Sequence, residues 1–215
     1  ALMGMSKPMV FDGIDDVVSV GNDSSINFST YGFTYVAWVR MFDATPSANA
    51  TIIGGGANSY LVALDTSGYL RFEEKGTGTQ TVSTARILDT DWHFVAVKTH
   101  DTNQVTFFFD GAQYDTDTYA QTADTNNTYT IGSNGASDEY FQGDINEVSM
   151  WSTALSLAEI QELFNDGVAL DATTHSSSSD LEGYWRNDGA SSWEDRSTNS
   201  NTGTPAGSPD TILLP

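Results

Sequence analysis

The residues best suited to chemistry stand near the end of the chain. In EDRSTNSNTGT at 194–204, Asp195, Ser197, Asn199 and Asn201 carry side-chain oxygens at alternate positions, with small residues between them and Gly203 as a stop. Alternating oxygens on a curved loop suit a hard cation, which takes about 6–8 oxygen ligands, some of them backbone carbonyls. The same pattern also describes an Asx-rich turn that satisfies its own backbone. Paired carboxylates are harder to find. A glycosidic bond would need two acids placed across it. Glu73 and Glu74 are adjacent and point apart, while Asp144 and Glu147 fall on opposite faces of a regularly alternating strand. His93, His100 and His175 have no metal-ligand spacing and no serine partner, and read as structural or surface residues.

The elements that must position these residues are nearly all strands. Phe33, Tyr35, Ala37 and Val39 alternate with Thr34, Val36, Trp38 and Arg40, and Trp92, Phe94, Ala96 and Lys98 alternate with His93, Val95, Val97 and Thr99. Turn residues separate the runs: Asp12-Gly13, Asp65-Thr66-Ser67-Gly68, Asp101-Thr102-Asn103 and Asp110-Gly111. One helix is predicted. Ser156 and Glu159 have capping-box spacing, Leu157, Ile160, Leu163 and Phe164 form an apolar stripe, and Gly167 is the expected stop. It follows a strand from Gly143 to Trp151, an order that suggests a helix packed across one end of a sandwich. Many short strands without βαβ alternation predict an all-β fold of two antiparallel sheets packed face to face.

Composition narrows the partners. Twenty-nine acidic residues against eight basic ones give a formal charge of −21, which argues against nucleic acid, whose phosphates require Lys and Arg. Such acidity suits divalent cations, and equally a solvated surface. No cysteine is present, so disulfides, thiolate metal sites and a cysteine nucleophile are excluded. No apolar run approaches the roughly 20 residues of a membrane span, so no membrane insertion is expected. The triplets beginning at Asn22, Asn27, Asn49 and Asn126 are no more than chance would place in a chain this rich in Asn, Ser and Thr.

FDGIDDVVSV at 11–20, FTYVAWVR at 33–40, DWHFVAVK at 91–98, FFFDGAQ at 107–113 and GDINEVSMWSTALSLAEI at 143–160 resemble, in order, the markers of laminin-G-like, concanavalin A-like jelly-roll domains. The resemblance implies one jelly-roll domain over 1–215, used for glycan binding, adhesion or assembly, often with a structural calcium. Gly183-Tyr184-Trp185 and the 194–204 segment resemble a piece that in many members precedes the first strand. Placed last here, it implies that 180–215 closes the sandwich beside the N-terminal strand, the rival being the start of a truncated second repeat. The implied calcium ligands are Asp12, Asn146, Asp195, Asn199 and Asn201. Asn146 stands where the family more often has Asp, and Asp144 is a substitute. The E-x-D-x-E pattern of laminarinase-type relatives is missing.

Glycan recognition calls for exposed aromatic rings beside polar loops. Tyr60, Tyr114, Tyr119 and Tyr140 lie in or next to loops and are the candidates; otherwise they are rim residues covering the core. The expected function is a non-catalytic carbohydrate-binding or adhesion module with structural calcium, at an extracellular, cell-surface or virion location. Its partners would be a glycan or cell-surface polysaccharide and other virion or surface proteins. The alternatives are a virion structural or decoration protein, such as a phage fibre or capsid appendage, that binds no sugar, and more distantly a glycoside hydrolase.

Overall fold

The computed structural model describes residues 7–28, 32–120, 124, 127–135, 138–187 and 193–211. Two antiparallel sheets are stacked. The first contains β1 (Met9–Asp12), β3 (Thr34–Met41), β8 (His93–Thr99), β9 (Gln104–Phe109), β10 (Ala112–Thr118), β12 (Gln142–Trp151), β13 (Leu181–Trp185) and β15 (Asp210–Thr211). The second contains β2 (Val17–Gly21), β4 (Ala50–Gly54), β5 (Tyr60–Leu64), β6 (Tyr69–Glu74), β7 (Thr79–Arg86), β11 (Tyr129–Ile131) and β14 (Thr204–Ala206). Their orders are β10-β9-β8-β3-β12-β1-β15, with β13 also on β12, and β14-β2-β11-β4-β5-β6-β7. No described helix is long and apolar enough to cross a membrane.

Alternation sorts the side chains as the sequence predicts. Tyr35, Ala37, Val39, Val95, Val97 and Phe107 face inward and meet Val62, Leu64, Phe72 and Ile131 of the second sheet. Burying each large apolar side chain contributes roughly 1.5–3 kcal/mol. The opposite parity, Val36, Trp38, Phe94 and Phe108, packs under α1 (Leu157–Phe164) through Ile160 and Leu163. The helix therefore lies on the outer face of the first sheet and not across an end, because the alternate positions of β3, β8 and β9 are themselves apolar and need a cover.

The capping box forms as its spacing requires, with Ser156 accepting from the Glu159 N–H and Glu159 accepting from the Ser156 N–H. Hydrogen bonds from Ser177 and Ser156 pull the Glu159 carboxyl down to about 2. The helix stops two residues before Gly167, at Asn165, which caps it in the left-handed conformation (φ 46°).

Regular alternation fails in β12. Glu147 has φ 52°, and the register against β3 shifts between Asn146 and Ser149, so an extra residue is accommodated as a bulge. Ile145, Val148 and Met150 consequently share the inner core, whereas Trp151 belongs to the outer one. Ile145 and Trp151, which regular alternation would put on one face, are thereby separated. Asp144 and Glu147, expected on opposite faces, both lie on the outer face, Asp144 against Arg40 and Glu147 beside Val36 and Trp38.

The last residues close the sandwich beside the N-terminal strand, as expected. β13 pairs with β12, β14 with β2 and β15 with β1. Asp195 holds this segment together. Its carboxylate accepts from the backbone N–H groups of Tyr184 (2.9 Å), Ser197 (2.8 Å) and Asn201 (2.8 Å), and from the Ser197 hydroxyl (2.8 Å). Asn201 in turn donates to the Ser25 hydroxyl at 3.0 Å, tying the tail to the loop after β2. Hydrogen bonds to charged groups contribute about 1.5–3 kcal/mol each, though not additively. Asp195→Ala is expected to lower the free energy of unfolding in urea by about 3 kcal/mol. A loss within about 0.5 kcal/mol, the ordinary scatter of surface substitutions, would contradict the closing role.

Candidate functional site

The six residues expected to ligate calcium are divided among separate tasks. Asp144 is buried in an ion pair with Arg40 Nε at 2.6 Å, and burial raises its carboxyl above the usual range despite that cation. Asn146 Oδ1 accepts from the Asn187 N–H at 3.0 Å. Asp195 is occupied by the donors just described. Asn199 Nδ2 donates to the Glu182 carbonyl (2.9 Å) and carboxylate (2.7 Å), and Asn201 Nδ2 is turned to Ser25 and Glu182. The alternating oxygens of the tail thus form an Asx turn bonded to its own backbone and to Tyr184, Glu182 and Ser25.

Asp12 has different company. Among the described residues, the one group of three or more metal-ligating His, Cys, Asp or Glu side chains is Asp12, Asp15 and Asp16, whose candidate ligand oxygens lie within 4.8 Å of one another. The short β1–β2 turn brings them together: Asp12 accepts from the Ile14 N–H at 2.7 Å and the Asp15 N–H at 3.3 Å, and Asp16 accepts from the Asp12 N–H at 2.8 Å. Burial, with the charges of Asp12 and Asp15, pushes the Asp16 carboxyl up against the pull of that N–H. Burial also acts to raise Asp12, but the surrounding N–H groups outweigh it and hold Asp12 low. Crowded carboxylates of this kind are relieved by a proton or a cation. The tail packs close beside them. At Gly207 a Cβ would meet the Asp15 carbonyl at 2.5 Å and Asp16 Oδ1 at 2.7 Å, so only glycine permits this close approach of the tail to the turn. These residues fit a hard, oxygen-ligated cation.

A second feature is a groove of about 400 Å3 between the β9–β10 turn and the end of α1, lined by Asp110, Gly111, Ala112, Gln161, Phe164 and Asp166. Two tight backbone reversals build it. Asp110 (φ 48°) and Gly111 (φ 74°) make the hairpin turn, and Asn165, Asp166 and Gly167 (φ 46°, 52° and 86°) turn the chain sharply out of the helix. Gly111 is required twice over, since a Cβ there would also strike Phe164 Cδ1 at 2.4 Å. The Phe164 ring, stacked on Trp38 with centroids 5.9 Å apart, forms an apolar wall, and Gln161 and Asp166 are exposed beside it. One side of the groove is braced from behind. Asp110 accepts from the Phe94 N–H at 2.9 Å and meets His93 Nδ1 at 2.9 Å, and His93 Nε2 meets Asp89 at 2.9 Å. The arrangement offers an aromatic surface with an amide and carboxylates around it, which is the chemistry that orients a hydroxyl-rich small molecule.

The four candidate tyrosines separate by burial. Tyr60 is fully buried, 4.7 Å from Phe33 and stacked on Phe72 at 5.7 Å, and Tyr119 is buried edge-on to Phe72 at 5.2 Å. Both are core residues, and their reading as sugar platforms is corrected. Tyr114 is 43% exposed on β10, two residues from Ala112 of the groove. Tyr140 is half-buried beside Glu139, whose carboxylate pairs with Arg71 on the outer side of the second sheet. The acids considered for catalysis are engaged structurally: Glu147 with the Tyr184 hydroxyl and Arg186, Asp144 with Arg40, Glu73 with Arg71 and Gln80, and Glu74 with the N–H groups of Gly76 and Thr77. His175 is buried against Trp151, and His100 bonds to Thr106.

The family model described as the concanavalin A-like lectin/glucanases superfamily matches residues 12–161. The chain belongs to that superfamily. Solved structures share the concanavalin A-like fold at low identity. A candidate carbohydrate binding protein from Bacteroides ovatus superposes with a TM-score of 0.71 at 20% identity, over 99% of this chain and 62% of that one. The CBM40 module of the Ruminococcus gnavus IT-sialidase gives 0.57 at 15% identity, over 74% of this chain and 97% of the module. Domain 4 of the Geobacillus stearothermophilus arabinanase AbnA, solved with arabinotriose, gives 0.56 at 17% identity, over 72% of this chain and 74% of that one. This chain therefore spans less than two thirds of the Bacteroides protein. No curated protein matches the sequence.

The His93 bridge is expected to make the stability of this concanavalin A-like domain depend on pH. Burial alone lowers the imidazole, but hydrogen bonds and charges from Asp110 and Asp89 outweigh it and hold the ring above 6.5. A folded value raised above the unfolded one means that the contribution is complete below pH 6.5 and is lost as pH rises through the folded value. The melting temperature is expected to fall over that alkaline window, and His93→Gln is expected to remove that part of the profile. Identical profiles for the two proteins would contradict the bridge.

Proposed function

We propose that this chain is a non-catalytic carbohydrate-binding module acting at an extracellular or cell-surface location, with its glycan in the groove between the β9–β10 turn and α1 and a structural calcium in the Asp12 loop. The observation that carries the reading is the groove itself: an aromatic ring, an amide and two carboxylates on rigid elements, around a volume of about 400 Å3 that lies in the range of small-molecule sites. The resemblance of the fold to CBM40 and to the arabinotriose-bound domain supports the class of ligand.

In this reading Phe164 supports one face of a sugar, Gln161 can donate and accept, and Asp110 and Asp166 accept from hydroxyls. The test is binding of the intact chain to an array of oligosaccharides, followed by calorimetry on the best ligand. Gln161→Ala is expected to weaken binding by about threefold to tenfold, the loss of one hydrogen bond, with an unchanged melting temperature because Gln161 is exposed. If no glycan on the array binds, or if Gln161→Ala binds as tightly as the parent, the assignment fails.

Calcium at Asp12, Asp15 and Asp16 would neutralise the crowded carboxylates and fix the β1–β2 turn against the tail at Gly207. An ion that binds only the folded state stabilises it by about 2.7 kcal/mol at a hundred times its dissociation constant. Chelation is therefore expected to lower the melting temperature of the parent but not of Asp16→Asn. A melting curve that chelator leaves unmoved would exclude the ion.

A further inference from the structure

The charge pattern of the groove says more than that it can hold a sugar. Its wall is the last turn of α1, the negative end of the helix dipole, which a Lys or Arg ordinarily answers. The last turn of α1 has no basic residue. Asp166, two residues past Phe164, is exposed and adds a full negative charge near the same helix end. Asp110 faces the groove from the hairpin turn, and no lining residue is cationic. Behind Asp110, His93 is held between Asp110 and Asp89 with its side chain 12% exposed. The Phe164 ring adds an aromatic face, which attracts an ammonium group through its quadrupole.

An anionic sugar brought here would meet a helix C-terminus and two carboxylates, of which Asp110 is answered from behind by His93 and Asp166 is exposed. An ammonium group would find a carboxylate, the carbonyl end of a helix dipole and an aromatic face together. We propose that the groove selects an amine-bearing saccharide, a hexosamine unit with a free amino group, over its N-acetylated and its acidic counterparts. The inference rests on the groove being a saccharide site and adds the property that separates one saccharide from another.

The experiment compares three disaccharides on the intact chain by calorimetry at low and high salt: glucosamine with free amines, its N-acetylated form, and one containing a uronic acid. The free amine is expected to bind on the order of two- to fivefold more tightly than the acetylated form at low salt, the range of an exposed ion pair, with the uronic acid weakest and the preference shrinking as salt rises. Asp166→Asn should remove the preference without unfolding the chain, since Asn also adopts the left-handed conformation that position 166 requires. Asp101→Asn makes the same change of net charge at the opposite end of β9 and should leave the preference intact. Equal binding of amine and acetylated forms, a preference that survives Asp166→Asn, or one that Asp101→Asn removes equally would each overturn the inference. If the acetylated disaccharide or another glycan binds in the groove without any gain from the amine, charge selection alone falls. If no saccharide binds at all, the carbohydrate reading falls with it.

Discussion

One edge of β12 is the constraint on which the rest of the structure depends. A strand offers a single row of hydrogen-bonding groups on each side, and β3 takes one side of β12. The other side is divided between the two ends of the chain: β1 pairs with Gln142 to Ile145, and β13 pairs with Val148 to Trp151. The bulge at Glu147 falls at the junction. Two side chains seal the seam, Asn146 accepting from the Asn187 N–H and Asn187 donating to the Pro8 carbonyl at 3.1 Å. A chain that begins on one half of an edge and returns to fill the other half needs no further strand there. The Asx turn at Asp195 follows from the same requirement, since Tyr184 and Trp185 must be held against β12 by something that also satisfies their backbone.

This division of labour decides where recognition can occur. Of the residues that the superfamily resemblance suggested as ligands, Asn146, Asp195, Asn199 and Asn201 hold the seam and the tail and Asp144 pairs with Arg40, whereas Asp12 stands in the β1–β2 turn, where its carboxylate crowds with those of Asp15 and Asp16. The outer face of the first sheet is apolar and takes α1 as its cover. Where the helix ends, the glycine of the β9–β10 turn meets the Phe164 ring, and the groove is the space left between two reversals that cannot interpenetrate. Its rigidity comes from strand packing beneath it, which is what a small-molecule site requires if ligand binding is not to carry the entropy of ordering a loop.

Much of the fold was legible because its signals are local. The parities of β3 and β8, the Asp110-Gly111 turn and the Ser156–Glu159 capping box each depend on neighbouring residues, and each formed as expected. The closing tail was legible through family resemblance. What escaped notice depends on distant contacts. Nothing in NEVS announces that Glu147 will adopt a left-handed backbone, and that one residue reverses which side chains of β12 share a face. Tyr60 did carry a usable signal, since it has the parity of Val62 and Leu64, both inward; its closeness to a loop was the weaker guide. The alternating oxygens at 195–201 fitted a cation loop and an Asx turn equally, and their bonds to Tyr184 and Glu182 are ones that no local pattern announces. For the groove, both reversals were visible as turn signals, but about fifty residues separate them, and only the docking of α1 on the sheet sets them side by side.

The central claim is that this concanavalin A-like sandwich recognises sugar at the end of its helix. The most direct measurement is chemical-shift mapping of backbone and side-chain amides in the labelled chain during titration with an oligosaccharide that binds. The account predicts that the largest changes fall at Asp110 to Ala112 and Gln161 to Asp166, including the Gln161 side-chain amide, with little movement on the outer strands of the second sheet. Shifts centred on Tyr69 to Glu74, or on the Asp12 to Asp16 turn, with the groove unmoved, would contradict it.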